Sequence, residues 1–314
     1  MLKGVGPSTL RKLAILLNFE QLSGEDLAFR ASPVSRALQE VNAWAKASED
    51  AEKQVEEAKC LGARILSPLD AEYPPLLAAT KDDPFLIFVR GKLAANPAKS
   101  VAVIGTREPT PHGTLIAQRI TQFFAEEQWS VVSGLAIGCD AIAHKTALDA
   151  QGHTVAVLAH GLHTIAPTRH RQLAEDILAS GGALVSEYRI GQGAQPQQFV
   201  KRDRTQAGMA QGVVMIQSDL KGGSLHASRA ALEYQRWLAV PFPTDTDRAN
   251  GEPKVQANLM IADGSVAQQE ELLRCTSSAL NRVILLRGKE DYPKMIENLS
   301  TPEPLSEPLQ SSLI

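Results

Sequence analysis

The chain has 314 residues, 44% of them hydrophobic, 21% charged and 5% aromatic, with a formal net charge of -3. This length supports a large core and two domains, and the ordinary composition marks a globular protein rather than a disordered or fibrous one. The acidic balance excludes a surface coated in positive charge, although it leaves room for one local basic patch. Cys60, Cys139 and Cys275 are scattered, odd in number and without metal or redox spacing, which points to a reducing cytoplasm. No apolar run reaches membrane-spanning length and MLKGVGPSTLRKL lacks the apolar stretch of a secretory signal, so no membrane association is expected.

Residues 1–62 read as a small helical N-terminal domain, closed by the charged amphipathic stretch VNAWAKASEDAEKQVEEAKCLG that stops at Gly62. Residues 63–98 read as a connector packing on the core, with two short strands at Arg64–Leu66 and Leu86–Val89. From residue 99 short apolar runs recur: VAVIG, SVVSG, TVAVLA, ALVSE, GVVMIQ and WLAVP. Most of the gaps between them carry helical periodicity, as in TLIAQRITQFFAEEQ and GSLHASRAALEYQ. Apolar strands alternating with helices predict an α/β fold, a doubly wound parallel sheet covered on both faces, across residues 99–275. Residues 276–314 read as one more strand-like run and a Pro/Ser/Glu-rich tail that is expected to be disordered from about residue 299.

Ligands of such sheets bind at the carboxyl ends of the strands, so the residues there are the site candidates. The first strand ends in Gly105-Thr106-Arg107, where a tight turn, a helix starting near Gly113 and a planar donor fork suit a phosphate; a surface ion pair is the alternative for Arg107. The second ends in Ser133-Gly134 and turns at Gly138, with Asp140 placed to cap the next helix and His144 to pack inside it. After the third come His160, His163 and His170, whose spacing fits no closed zinc set, and Arg169, which serves an anion or a solvated face. Phe199, Lys201, Arg202 and Arg204 lie ahead of GVVMIQ. That strand leads to Gly222-Gly223-Ser224, a turn that opens a helix with its N–H groups free, and to Arg229 within the helix. Over residues 196–236 the basic Lys201, Arg202, Arg204, Lys221, Arg229 and Arg236 outnumber the acidic Asp203, Asp219 and Glu233 by three. No cofactor is called for, and Phe199 is the candidate stacking platform for a base, with core packing as its alternative.

The segments LDAEYPPLL, FLIFVRG, VAVIGTREPTPHG, VVSGLAIGCDAIAHKTAL, TVAVLAHGL, LVSEY, KRDR, GGSLHASRAALE, AVP and NLMIADGS occur in an order that resembles the DNA-processing protein A family (DprA, also called Smf) over about residues 65–265. LKGVGPSTLRKL resembles the helix-hairpin-helix turn of that family's N-terminal domain. The resemblance implies a Rossmann-like sheet that binds single-stranded DNA in a positively charged pocket. It further implies a homodimer that protects incoming strands and loads the RecA-type recombinase in natural transformation. The family's phosphate-contacting positions fall on Arg107 and on Lys201, Arg202 and Arg204, with the Gly222–Ser224 turn in the same pocket. Three positions depart from the family pattern. Asp203 stands where it reads Asn, Ala166-Pro167 with His170 where it reads Tyr-Pro with Asn, and Phe242 where it reads Gly after Ala-Val-Pro.

Two readings of function follow from the same residues. One is a non-catalytic single-strand binder. The other is a nucleotide-binding sensor or nucleotide hydrolase of a related fold, serving a mobile element or a defence system. Hydrolysis needs a carboxylate near the phosphate turn, and the nearest following glutamate is Glu233, at roughly 15 Å from the helix start by standard rise.

Overall fold

The computed structural model describes residues 2–297, so the expected disorder of the tail lies outside the described residues. Four helices open the chain: α1 (Pro7–Ala14), α2 (Gly24–Arg30), α3 (Ser32–Ala37) and α4 (Ala43–Cys60). The first three close over a small core of Leu13, Leu27 and Val34, and Ser23 and Asp26 form a reciprocal capping box on α2. α4 stops just short of Gly62, whose φ of +63° turns the chain out of the helical path.

The segment after it supplies β1 (Ala63–Leu66), α5 (Pro75–Ala78) and β2 (Ile87–Gly91). The core then runs β3 (Ser100–Ile104), α6 (Pro111–Glu126), β4 (Ser130–Ser133), α7 (Cys139–Asp149), β5 (Thr154–Leu158) and α8 (Arg171–Ala179). It continues through β6 (Ala183–Ser186), α9 (Pro196–Gly208), β7 (Gly212–Met215), α10 (Ser224–Glu233) and β8 (Trp237–Pro241). The described chain ends with α11 (Asp245–Ala249), α12 (Gln256–Asp263), α13 (Val266–Leu273), α14 (Ser277–Leu280), β9 (Val283–Leu286) and α15 (Pro293–Glu297). No helix of the described residues is long and apolar enough to cross a membrane.

All nine strands form one sheet in the order β1-β2-β6-β5-β4-β3-β7-β8-β9. β3 to β9 run parallel. β2 joins β6 antiparallel, Phe88 facing Ser186, and β1 joins β2 in the same sense. The alternation of side chains along β3 shows how both faces are covered. Val101 and Val103 pack with Phe124 and Trp129 beneath α6, whereas Ala102 and Ile104 pack with Met209 and Leu225 beneath α9 and α10. Phe124 also stacks on Trp237, ring centroids 6.3 Å apart and nearly parallel.

From β3 the chain winds outward through β4, β5 and β6, then crosses back to place β7 on the other side of β3. The loops that follow β3 and β7 therefore leave the sheet in opposite directions and open a crevice between them.

Arg236, which counted toward the basic excess of residues 196–236, is not on the surface. It is 6% exposed at the entrance to β8, where its guanidinium donates to the carbonyls of Ala207 (2.8 Å), Gly208 (2.6 Å), Ala210 and Leu76. It thus closes the C-terminus of α9 and ties α5 to the sheet. Replacement by a methionine leaves several buried carbonyls without a donor. Arg236→Met is expected to lower the unfolding free energy by about 3 kcal/mol in urea denaturation; a loss of under about 1 kcal/mol would contradict this role.

Candidate functional site

The loop after β3 is held from both sides. Thr106 donates its N–H to the Gln217 carbonyl (2.8 Å) just past β7 and accepts from the Cys139 N–H (3.1 Å) at the start of α7. The helix that follows begins at Pro111, two residues earlier than the sequence suggests. Proline at the first helical position lacks only a donor that has no helical partner anyway, and Thr110 Oγ1 accepts from the Gly113 N–H at 3.1 Å. Gly138, with φ +78°, presses against the Thr106 and Arg107 backbone where a side chain would collide. Arg107 stands at the mouth, exposed. Among the described residues it has no hydrogen bond or ion pair, so the surface ion-pair reading finds no partner; its guanidinium lies 5.9 Å from the Phe199 ring centroid.

A cavity of about 400 Å³ opens between this loop and the one after β7. Gly105, Thr106 and Arg107 form one wall and Gly222, Gly223 and Ser224 the other. The Gly223 and Ser224 N–H groups have no acceptor among the described residues, and they sit at the positive end of α10. Lys254 and Glu108, paired with each other, flank the rim.

A second cavity of about 360 Å³ adjoins the first and shares Arg107, Ala136, Phe199 and Arg202 with it as lining. Its walls are mostly apolar: Ile137, Leu158, Ala159 and Pro167, with Gly134, His160 and Arg169 at their edges. The Phe199 ring, half-buried on α9, lies at the junction, with Arg107 and Arg202 each 5.9 Å from its centroid. Phe199 is therefore not a core residue, whereas Phe124, Trp129 and Trp237 are fully or almost fully buried and offer no face to a ligand.

The run KRDR belongs to α9, and helical geometry turns its three cations in different directions. Arg202 points inward and is 5% exposed. It donates to the Gly134 carbonyl at 2.6 Å and lies 3.0 Å from an Asp203 oxygen and 3.6 Å from an Asp140 oxygen. The Gln206 amide accepts from it at 3.0 and 2.9 Å when its oxygen faces the guanidinium. A side chain at Gly134 would occupy the place of Arg202 Nη1. Lys201 instead pairs with the buried Glu187 at 2.7 Å and lines neither cavity. Arg204 pairs with Asp82 and Glu233 on the far side of the helix.

Asp140 does not cap α7 as the sequence suggests; Gly138 is the cap residue, and Asp140 is buried within the first turn. There it accepts from the Ala136 N–H (3.3 Å) and faces Arg202, while burial raises its pKa. Ser133 is wholly buried and donates to the Val103 carbonyl at 2.7 Å, so it shapes the strand end rather than lining a cavity. His144, His160, His163 and His170 each have their own hydrogen-bond partner: Thr154, Gly161 and Ala166, Gly191, and Leu135. Arg204 and Arg229 line a third cavity, behind α9 and α10, and do not reach the crevice. Asp203 lies between Arg202 and the Gly222–Ser224 turn, and burial pushes its carboxyl up to about 7. A protonated carboxyl at this position can donate a hydrogen bond, as the amide of an asparagine would. Lys254, Gln206 and Ala136 also line the cavity without a sequence signal: each arrives from a segment whose approach is set only by packing.

Residues 64–273 match the sequence model of the family described as DNA recombination-mediator protein A. The Smf protein of Escherichia coli K12 is 38% identical over 212 residues, which span 66% of this chain and 55% of that protein. The Smf protein of Synechocystis is 34% identical over 264 residues, spanning 79% of this chain and 64% of its own length. The chain thus spans between about half and two thirds of these curated relatives. Among solved structures, that of DNA processing protein A from Streptococcus pneumoniae superposes with a TM-score of 0.67 at 24% identity, covering 93% of this chain and 94% of that one. The Helicobacter pylori protein, solved for its single-stranded DNA binding mode, gives a TM-score of 0.55 at 27% identity over 64% of this chain and 88% of its own. With the family match running through both loops that flank the crevice, the chain belongs to the DprA/Smf family, DNA recombination-mediator protein A.

Proposed function

We propose that the protein binds single-stranded DNA in the crevice between β3 and β7, shields it there, and passes it as a homodimer to a RecA-type recombinase in the cytoplasm. One observation carries this reading: a polar cavity and an apolar cavity meet at Arg107, Phe199 and Arg202. The polar side offers an unpaired guanidinium and two free backbone amides to a phosphodiester, and the apolar side offers the depth and the ring face that a base requires. The family's description as a recombination mediator and the single-strand binding of the Helicobacter pylori relative support the ligand and the recombinase.

The hydrolase reading is weaker because every carboxylate of the polar cavity is already engaged. Asp140 and Asp203 face Arg202, Glu108 pairs with Lys254, and Asp219 accepts from the Lys221 N–H at 2.7 Å. Glu233, the only glutamate in the helix behind the phosphate turn, is paired with Lys81 and Arg204 outside the cavity. We therefore read the protein as a binder and not an enzyme; release of free base from nucleoside monophosphates would contradict this.

Two binding measurements test the site. Short labelled single strands are expected to bind with an affinity that falls as salt rises. Arg107→Ala is expected to weaken binding about tenfold and to reduce the log–log salt slope by about 0.7, the share of one phosphate on a single strand. Equal affinity in wild type and variant would remove Arg107 from the site.

The second measurement follows pH. Asp203 is held at about 7 by burial, against an ordinary value of 3.8. As pH rises through 7 the carboxyl ionises beside the phosphate turn, so strand affinity is expected to fall, and Asp203→Asn to abolish that fall. The same shift works on stability: the folded state holds the proton more tightly than the unfolded one, so its contribution is lost as pH rises from about 4 to about 7. A binding curve that is flat between about pH 6 and about pH 8 in the wild type would place the ionised group elsewhere.

A further inference from the structure

We infer that the cavity behind α9 and α10 is a second phosphate-binding site, built on Arg229, Arg274 and His226. It measures about 520 Å³ and shares none of its lining with the crevice. Arg229 reaches it from α10, its Nε donating to the Leu272 carbonyl at 2.9 Å. That bond fixes the plane of the guanidinium and leaves both Nη groups without an acceptor among the described residues. Arg274 comes from the end of α13, where it takes a left-handed backbone conformation with φ 52°. Its side chain is exposed and likewise has no ion-pair or hydrogen-bond partner among the described residues. Thr276, at the start of α14, lines the same space, its hydroxyl 2.9 Å from that of Ser278.

The charges here oppose one another. Arg204, Arg229 and Arg274 converge with the His226 ring on one cavity whose sole carboxylate, Glu233, is already held by Lys81 and Arg204. Burial, then Arg229, Arg274 and Arg204, depress the His226 pKa; burial and Arg274 lower that of Arg229. Arg229 and Arg274 have no counter-ion among the described residues, so an anion that enters between them relieves their repulsion, and two planar donor forks match the oxygens of a phosphate. The fold connects this site to the first: on α10, Ser224 and Ala227 line the crevice, while His226 and Arg229 line the second cavity. The phosphate is supplied either by a single strand continuing past the crevice or by a free nucleotide. The inference does not depend on what occupies the crevice.

His226 provides the readout. Titration of the intact protein with inorganic phosphate at low salt, followed by NMR of the histidine ring protons, is expected to shift the His226 signal saturably. Arg274→Glu is expected to abolish the shift, with Arg229→Gln as a second variant giving the same loss. Arg107→Ala is expected to leave it unchanged, which separates this site from the crevice. A His226 signal that ignores phosphate, or that responds equally in Arg274→Glu, overturns the proposal. The source is then resolved with strands of about 6 and about 20 nucleotides. If a strand supplies the phosphate, Arg274→Glu weakens the longer one by about tenfold and leaves the shorter unchanged. If a nucleotide does, thymidine monophosphate shifts His226 and both strands bind Arg274→Glu as they bind the wild type.

Discussion

The site depends on a single buried cation. Arg202 lies in the interior beneath the crevice, and removing a guanidinium from water costs several kcal/mol unless its donors are met. Here they are met by the Gly134 carbonyl, two carboxyl groups and the Gln206 amide. That requirement dictates several neighbours at once. Residue 134 must be glycine, because any side chain would take the space of Arg202 Nη1. Asp140 is drawn into the first turn of α7, and burial, with the Asp140 carboxyl nearby, pushes the Asp203 carboxyl up to about 7 against the pull of Arg202. The positive charge that a basic cluster would lend to a phosphate is thereby largely spent within the protein. What remains for a ligand where the two cavities meet is the guanidinium of Arg107, which has no hydrogen bond or ion pair among the described residues.

This separates the arginines by role. Arg202 and Arg236 are buried and organise backbone carbonyls; Arg204 is bound up in ion pairs; Arg107 faces solvent with Phe199 beside it. The same economy governs the aromatic residues. Trp129, Phe124 and Trp237 fill the layer under α6, leaving Phe199 as the ring placed between a polar and an apolar cavity. A strand whose phosphate met Arg107 and the α10 amides would have the Phe199 ring beside it, 5.9 Å from the Arg107 guanidinium.

Much of the fold was legible because burial on both faces of a parallel sheet leaves a near-continuous apolar signature. The runs VAVIG, SVVSG, TVAVLA, ALVSE and GVVMIQ each extend one or two residues past the observed strand at the carboxyl end. The two short strands of the antiparallel edge were legible, but not their place in the sheet, because β1 pairs with β2 and β2 with β6, far away in sequence. At the site, Gly105, Arg107 and Gly222–Ser224 could be found because strand ends and helix starts have local signals. KRDR misled as a contiguous patch because α9 is polar on most of its surface and shows little periodicity, so the inward turn of Arg202 has no local signature. Two of its compensating groups, the Gly134 carbonyl and Asp140, come from more than 60 positions away, and only the tertiary structure brings them to it.

The account stands on where a strand lies, and photo-crosslinking reads this most directly. A single-stranded oligonucleotide carrying halogenated pyrimidines, bound at low salt, irradiated and mapped by peptide mass spectrometry, is predicted to form its principal adduct in the α9 peptide at Phe199. Adducts confined to the helices of residues 7–60, with α9 unmodified, would place the strand on those helices and contradict binding in the crevice.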